Sequence, residues 1–427
     1  MILQENQVQP TITKLKSFAQ TYDTVFWLES CNLPNAHDIG AFELVIGLGE
    51  KSKIELTSTD FSWDAVSSYL DEQAWKFFAL SYDLKNEISK LETKNKDVLN
   101  WPVLSCVKPE LTITLSKNNE FKVYGVSEAE LFKLLDTVNE KDSKPIVTFS
   151  AISASLTEEE HHQRVRDIKR EISEGNMYEM NLCLEHVLED FECKQPFELF
   201  HKLTRTSPTP FSAYVQLNHK HVLCASPERF LTTLNNRVYS QPIKGTSKRY
   251  ENFAQNQESR LHLANSIKER AEHIMIVDLV RNDLSKLCKV ASIQVDELFE
   301  IYGYKHVNQM ISTISGELES SPNFVEAIKA TYPMGSMTGA PKHIVMKFID
   351  ALETAARGWY SGTIGYIQPD GNFDSNVVIR SLLYDSEKRV AKFSVGGAIT
   401  FDSDPTLEYE ECLLKSEAIR SVLDITA

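Results

Sequence analysis

The chain has 427 residues, 42% hydrophobic and 25% charged, enough to bury one large core or two ordinary ones. Lys+Arg 45 against Asp+Glu 60 leaves a net charge of -15, which disfavours nucleic acid or an anionic membrane as partner. Seven scattered cysteines without a CxxC pair argue against a disulfide framework or zinc. The absence of a leader and of any ~20-residue apolar run reads as cytoplasmic.

Residues 1–140 read as an N-terminal region of mixed strands and helices. Val25-Phe26-Trp27-Leu28 and Phe42-Glu43-Leu44-Val45-Ile46 have the apolar content of buried strands. Residues 111–115, a turn at 117–120 and residues 121–124 form a hairpin pattern, and the polar stretch 140–145 reads as a linker. A second region covers 150–424. Thr157 and Glu160 make a capping box for a helix striped by Val165, Ile168 and Ile172 and stopped at Gly175. His161-His162, among its charges, is expected to face solvent. Strict alternation follows, with Tyr178, Met180, Leu182 and Leu184 on one face of a strand and Glu179, Asn181 and Cys183 on the other. A strand over 221–225 ends at Ser226-Pro227, which leaves Glu228 just beyond it.

Arg237-Val238-Tyr239-Ser240 is extended, then broken by Pro242 and again by Gly245. Lys244 lies between the two breakers, either a solvated turn lysine or an amine aimed into a site. One long helix is expected over 256–280, with Leu261, Ala264, Ile267, Ala271 and Ile274 as its seam. Glu272 lies off that seam, and its local partner is Lys268, one turn earlier. Gly335-Ser336-Met337-Thr338-Gly339-Ala340-Pro341-Lys342 is a glycine-containing loop opening a helix, with Pro341 in the first turn and Ile344, Val345, Phe348, Ile349 and Leu352 as its stripe. Free N–H groups there could hold an anion, although the Walker spacing is absent.

The chain closes with a meander: a strand over 359–368, a turn at Pro369-Asp370-Gly371, a strand over 377–384 carrying Arg380, and a strand over 390–401. Gly396-Gly397 inside the last strand marks a close approach by a ligand or another backbone. Asp404-Pro405 starts a final helix that sets Glu408, Glu411 and Lys415 on one face. The acidic turn Glu408, Glu410, Glu411 is either solvated or gathered on a hard cation such as Mg²⁺. No GxSxG or GxGxxG occurs. Glu228, Lys244 and a bound Mg²⁺ would suit a carboxylated substrate, with the metal on the carboxylate, the amine as nucleophile and the glutamic acid as proton donor.

Five motifs then read together: Ser226-Pro227-Glu228-Arg229-Phe230, Pro242-Ile243-Lys244-Gly245-Thr246, Ile276-Val277-Asp278-Leu279-Val280-Arg281-Asn282-Asp283, Thr338-Gly339-Ala340-Pro341-Lys342 and Gly396-Gly397-Ala398-Ile399. Their order resembles that of the chorismate-utilising enzymes over roughly 150–420, and the first third is similar to the N-terminal region of the same large subunits. The resemblance implies an α+β fold, a four-layer α/β/β/α sandwich with largely antiparallel sheets to which the first third contributes. The lysine of the second motif is similar to that of aminodeoxychorismate synthase large components, where anthranilate synthases usually carry alanine. This implies a transferase of p-aminobenzoate and folate biosynthesis. Lys244 would attack C2 of chorismate while the C4 hydroxyl leaves with help from Glu228, and ammonia would then enter at C4 and expel the lysine.

By the same resemblance Glu272, Glu408 and Glu411 hold Mg²⁺, and Arg380 with Tyr360 takes the enolpyruvyl carboxylate. Thr338, Gly339, Gly396, Gly397, Lys415 and Thr246 would complete the anion pocket. A metal near Lys244 would favour loss of the amine's proton. Ammonia is expected from a separate glutamine amidotransferase subunit. Two positions depart from the family pattern: Glu179, where aminating members usually have glutamine and hydrating ones lysine, and Gln309, where histidine is frequent. Leu28-Glu29-Ser30 resembles the start of a regulatory tryptophan pocket. The rival readings are anthranilate synthase component I and a catalytically silent binding subunit, which would need no nucleophile.

Overall fold

The computed structural model describes residues 1–33, 39–40, 42–138 and 144–425. Most of the linker expected at 140–145 lies outside them. Among the described residues two large antiparallel sheets, of eleven and ten strands, lie face to face. Side-chain alternation sets the layers. In the strand Thr24–Glu29, Phe26 points at the opposite sheet, its ring 5.4 Å from that of Phe77. Trp27 points the other way, onto the helix Pro196–Thr206, where its ring meets Phe197 at 5.3 Å. In the second sheet, Phe78 of Lys76–Leu80 turns outward to Phe324 of the helix Phe324–Thr331, at 4.4 Å. The order is therefore helices, sheet, sheet, helices, the α+β sandwich the resemblance implies.

The first third is built into both sheets. Thr24–Glu29, Phe42–Leu48 and the hairpin of Leu111–Ser116 with Phe121–Tyr124 continue the eleven-stranded sheet beyond Phe211–Leu217. Ser52–Leu56, Lys76–Leu80 and Leu104–Lys108 continue the other beyond Thr363–Ile367. No helix among the described residues is long and apolar enough to cross a membrane.

Several elements differ from their sequence pattern. The expected long helix is two, Phe253–Asn265 and Ile267–Leu284, separated at Ser266, whose side chain accepts from Glu269 N to cap the second. Its supposed seam is mostly outside, with Leu261 61% and Ile267 86% exposed, while Leu263, His273, Ile276, Val277, Val280 and Leu284 are buried. The strand Glu179–Glu189 is buried on both faces along most of its length, and Tyr178, just ahead of it, is exposed. His161 is buried against Tyr409 instead of facing solvent. Pro341 is the N-cap of Lys342–Leu352, not its first turn, and Ile344 of the expected stripe is exposed. The strand expected at 359–368 is confined to Thr363–Ile367.

The meander also hides a change of sheet. Phe373–Asn376 belongs to the ten-stranded sheet and Ser381–Asp385 to the eleven-stranded one, so Arg380 is on the crossing and not within a strand. The chain crosses in the opposite sense between Lys220–Ser226 and Arg229–Leu234, which places Glu228 on that crossing. The two crossings bond to each other: Val377 N donates to Glu228 O at 3.0 Å and Ala225 N to Arg380 O at 3.1 Å. Between the sheets, Phe77 is fully buried. Phe77→Ala is expected to cost about 3–5 kcal/mol of stability, measured as a lower urea midpoint at unchanged slope.

Candidate active site

Lys244 is on a strand, not in the turn its breakers suggested. Pro242 separates Arg237–Gln241 from Ile243–Lys248, and both run along the same partner, Val307–Glu317. Gly245 takes a positive φ of 77° where the register shifts between Lys244 and Thr246, so it forms a bulge beside the lysine. The amine reaches across to the other sheet. Its Nζ lies 2.6 Å from Oε1 of Glu179, the first residue of the strand Glu179–Glu189. Burial works against the charged amine, but Glu179, then Glu272 and Glu228, outweigh it and hold Lys244 above the ordinary lysine value. In this state the lysine is an ammonium ion.

Glu228 is buried on its crossing, and burial pushes its carboxyl up to about 7, with Ser336, Lys244 and Arg380 offsetting part of the effect. A carboxyl in that range can be protonated near neutrality and donate a proton. Arg380, with φ 51°, is held below its usual value by burial while Glu228 and Tyr304 pull it back. Among the described residues its guanidinium makes no ion pair closer than 4.0 Å, so it can receive an anion. Tyr360 is buried, with Cys183 and Arg357 as electrostatic neighbours, and makes no hydrogen bond to Arg380 among the described residues. Thr246, past the bulge, is exposed.

The acidic residues converge from two helices. A Cβ on Gly397 would stand 3.2 Å from Glu408 Oε2 and 4.0 Å from both Glu411 Oε1 and Lys415 Nζ, so the bare glycine makes room for these three ends. Lys268 Nζ lies 3.9 Å from Glu272 and 3.9 Å from Glu408, joining the two helices. Both readings of Glu272 therefore meet in one place. Burial raises Glu272 to about 7 and raises Glu408, whereas Lys415, 2.6 Å away, brings Glu411 below the usual range despite burial. Lys415 also donates to Gly396 O at 2.7 Å. Among the described residues no three His, Cys, Asp or Glu side chains make a metal cluster on their own. Carboxylates gathered here and completed by substrate oxygens and water would suit Mg²⁺.

The Thr338-Gly339 loop fixes a backbone. Gly339 and Ala340 pair with Glu179 and Met180, and a Cβ at Gly339 would stand 2.1 Å from Glu179 O. Thr338 is buried, its hydroxyl donating to Met334 O and Gly335 O. Sequence reasoning missed the brace behind it. Buried Arg357 donates to Asn181 O, Met337 O and the Glu353 carboxylate, which in turn accepts from Cys183 N. The i,i+4 spacing of Glu353 and Arg357 was its visible signal. His273, bonded to Ser312 Oγ at 2.7 Å and next to Glu272, was also missed. Gln309 is buried with its Oε1 unpartnered. Leu28, Glu29 and Ser30 line a separate cleft with Arg229 and Asp374.

The chain matches the family of chorismate binding enzymes over residues 25–421 and belongs to that family. It is 31% identical over 350 residues to an anthranilate synthase component I-like protein of Synechocystis sp., covering 81% of this chain and 72% of that one. An aminodeoxychorismate synthase of Streptomyces pristinaespiralis is 40% identical over 264 residues, 62% of this chain and 36% of its own length. Aminodeoxychorismate synthase component 1 of Bacillus subtilis is 32% identical over 292 residues, 68% of this chain and 61% of that one. This chain thus spans less than two thirds of either aminodeoxychorismate synthase. The crystal structure of anthranilate synthase component I from Streptococcus pneumoniae has the same fold, with TM-score 0.76 and 22% identity over 90% of this chain and 92% of that one.

The raised carboxyl of Glu228 has a consequence for stability. Its folded value of about 7 lies above the ordinary 4.5, so its contribution is fully present below about 4.5 and is lost as pH rises through 7. Glu228→Gln removes that dependence. The variant is expected to lose less stability than the parent between pH 5 and pH 8, read from urea midpoints in metal-free buffer.

Proposed function

We propose that this protein aminates chorismate at C4 to give 4-amino-4-deoxychorismate, for p-aminobenzoate and folate synthesis, with ammonia from a separate glutamine amidotransferase subunit. The observation that carries the reading is the Lys244 amine, 10% exposed and within electrostatic reach of Glu228, the carboxyl that burial pushes up to about 7. A site that merely bound a carboxylated ligand would have no use for a nucleophile there.

In the proposed sequence the neutral Lys244 amine forms a bond to ring C2, the ring double bond shifts, and the C4 hydroxyl departs as water with the Glu228 proton. Ammonia then bonds to C4 and the C2–N bond breaks, which returns the lysine as a neutral amine; the new ammonium gives its extra proton to Glu228. Arg380 would take the enolpyruvyl carboxylate in this reading, with Tyr360 as its partner in the anion pocket. Glu272, Glu408 and Glu411 would hold Mg²⁺, which supplies charge neutralisation for the ring carboxylate when bound. Gly396, Gly397, Thr338 and Gly339 contribute close backbone approach, and Lys415 positive charge.

Incubation with chorismate and Mg²⁺ in the absence of ammonia is expected to give a mass-detectable adduct on Lys244, and added ammonium should release 4-amino-4-deoxychorismate. Anthranilate with pyruvate as product would replace this reading with anthranilate synthesis, the activity named for the Synechocystis and Streptococcus relatives. Lys244→Ala should lose the adduct and keep chorismate binding. Glu272→Gln and Glu408→Gln should each weaken the Mg²⁺ dependence of chorismate binding, followed by calorimetry.

A further inference from the structure

The proposed amination needs a neutral lysine, yet its surroundings hold Lys244 charged. The proton has to go somewhere. Glu228 is the wrong acceptor, since its part is to arrive protonated and donate. Glu272 and Glu411 are committed to the metal. Glu179 has had no part in the chemistry so far, and it is the residue that touches the amine, at 2.6 Å. We infer that Glu179 is a catalytic residue, the base that takes the proton from the Lys244 ammonium so that its nitrogen can act as a nucleophile.

Three observations support this over a purely structural ion pair. First, the Glu179 side chain is 1% exposed and that of Lys244 10%, so water has little access to act as the acceptor. Second, Oε2 of Glu179 is buried without a hydrogen-bond partner. A carboxylate kept for structure is normally saturated, because an unpaired buried acceptor is costly. Third, its backbone is held rigidly: Glu179 pairs with Ala340, Tyr178 N donates to Ala340 O at 2.8 Å, and only glycine fits at 339. The carboxylate is thereby presented to the other sheet at fixed reach.

The step balances within the pair. The proton moves from Lys244 Nζ to Glu179 Oε1, leaving a neutral amine and a neutral acid. It returns when the lysine is expelled from C2, restoring the ion pair. No outside acid or base is consumed. The other titratable groups acting on Lys244 are Glu228, Glu269, Glu272, His273 and Glu411.

The inference rests on Lys244 being the nucleophile of the proposed amination, and the test separates the two. The single-turnover rate of adduct formation with chorismate and Mg²⁺ is followed from pH 5.5 to 8 in the full chain and in Glu179→Gln. With Glu179 as base and Mg²⁺ saturating at every pH, the parent rate is level until Glu228 deprotonates, because the pair carries its own acceptor. In the variant the lysine depends on solvent, so the variant-to-parent ratio rises about tenfold per pH unit. Glu228 acts on both proteins alike and cancels in that ratio. A pH-independent ratio, or a parent rate that itself climbs tenfold per unit below pH 7, overturns the assignment. The parent profile alone decides the matter if the variant does not fold. If the parent forms no adduct, the amination reading fails. Trace acetylation of Lys244 by acetic anhydride over the same pH series then still reads the pair: a level parent profile supports the base, and a tenfold rise per unit removes it.

Discussion

A chain that leaves one sheet for another must break its ladder, and the broken backbone still needs partners. Here the two crossings satisfy each other, through Ala225 with Arg380 and Glu228 with Val377. That constraint organises the site. It puts irregular backbone, and with it a carboxyl and a guanidinium, between two rigid sheets. The flanking strands, Lys220–Ser226 and Ser381–Asp385, are themselves paired, so the crossings have little freedom to drift.

The remaining groups come from the ends of the same sheets. Lys244 is on a strand at the end of the ten-stranded order, and Glu179 on one next to the end of the eleven-stranded order. The Thr338 loop and the Arg357–Glu353 brace hold the second of these strands from behind, bonding at Asn181 and Cys183. The acidic helix reaches the same place because Gly397 leaves a gap for it. Most of the polar chemistry is thus mounted on regular structure, and its charges are balanced only in part: burial raises Glu228, Glu272 and Glu408, and neighbouring carboxylates add to it for Glu272 and Glu408.

Features set by a few neighbouring residues were legible in the sequence. The Thr157–Glu160 capping box, the Asp404-Pro405 helix start and the hairpin at 111–124 all have local causes. Features set by the second sheet were not. Strand alternation predicts one wet face, but Glu179–Glu189 has sheet on one side and helices on the other. The apolar residues of 253–284 lie on several sides, so the true seam could not be told from Leu261 and Ile267 until the packing was known. Lys244 looked like a turn residue because Pro and Gly break a ladder and also make a bulge within one. Glu228, Lys244 and Glu408 were marked by local pattern, but their roles, like those of Glu272 and Arg380, came from the family resemblance. The members of the Glu179–Lys244 contact are 65 positions apart and leave no local trace.

The placement of Lys244 and Glu179 in different sheets has one more consequence. Their separation is a thickness, the gap between two layers whose filling is Phe26, Phe77 and their neighbours. A residue that thickens or thins that filling changes how far a proton has to travel at the sandwich's rim. Core packing, usually counted in stability alone, here also sets a chemical distance.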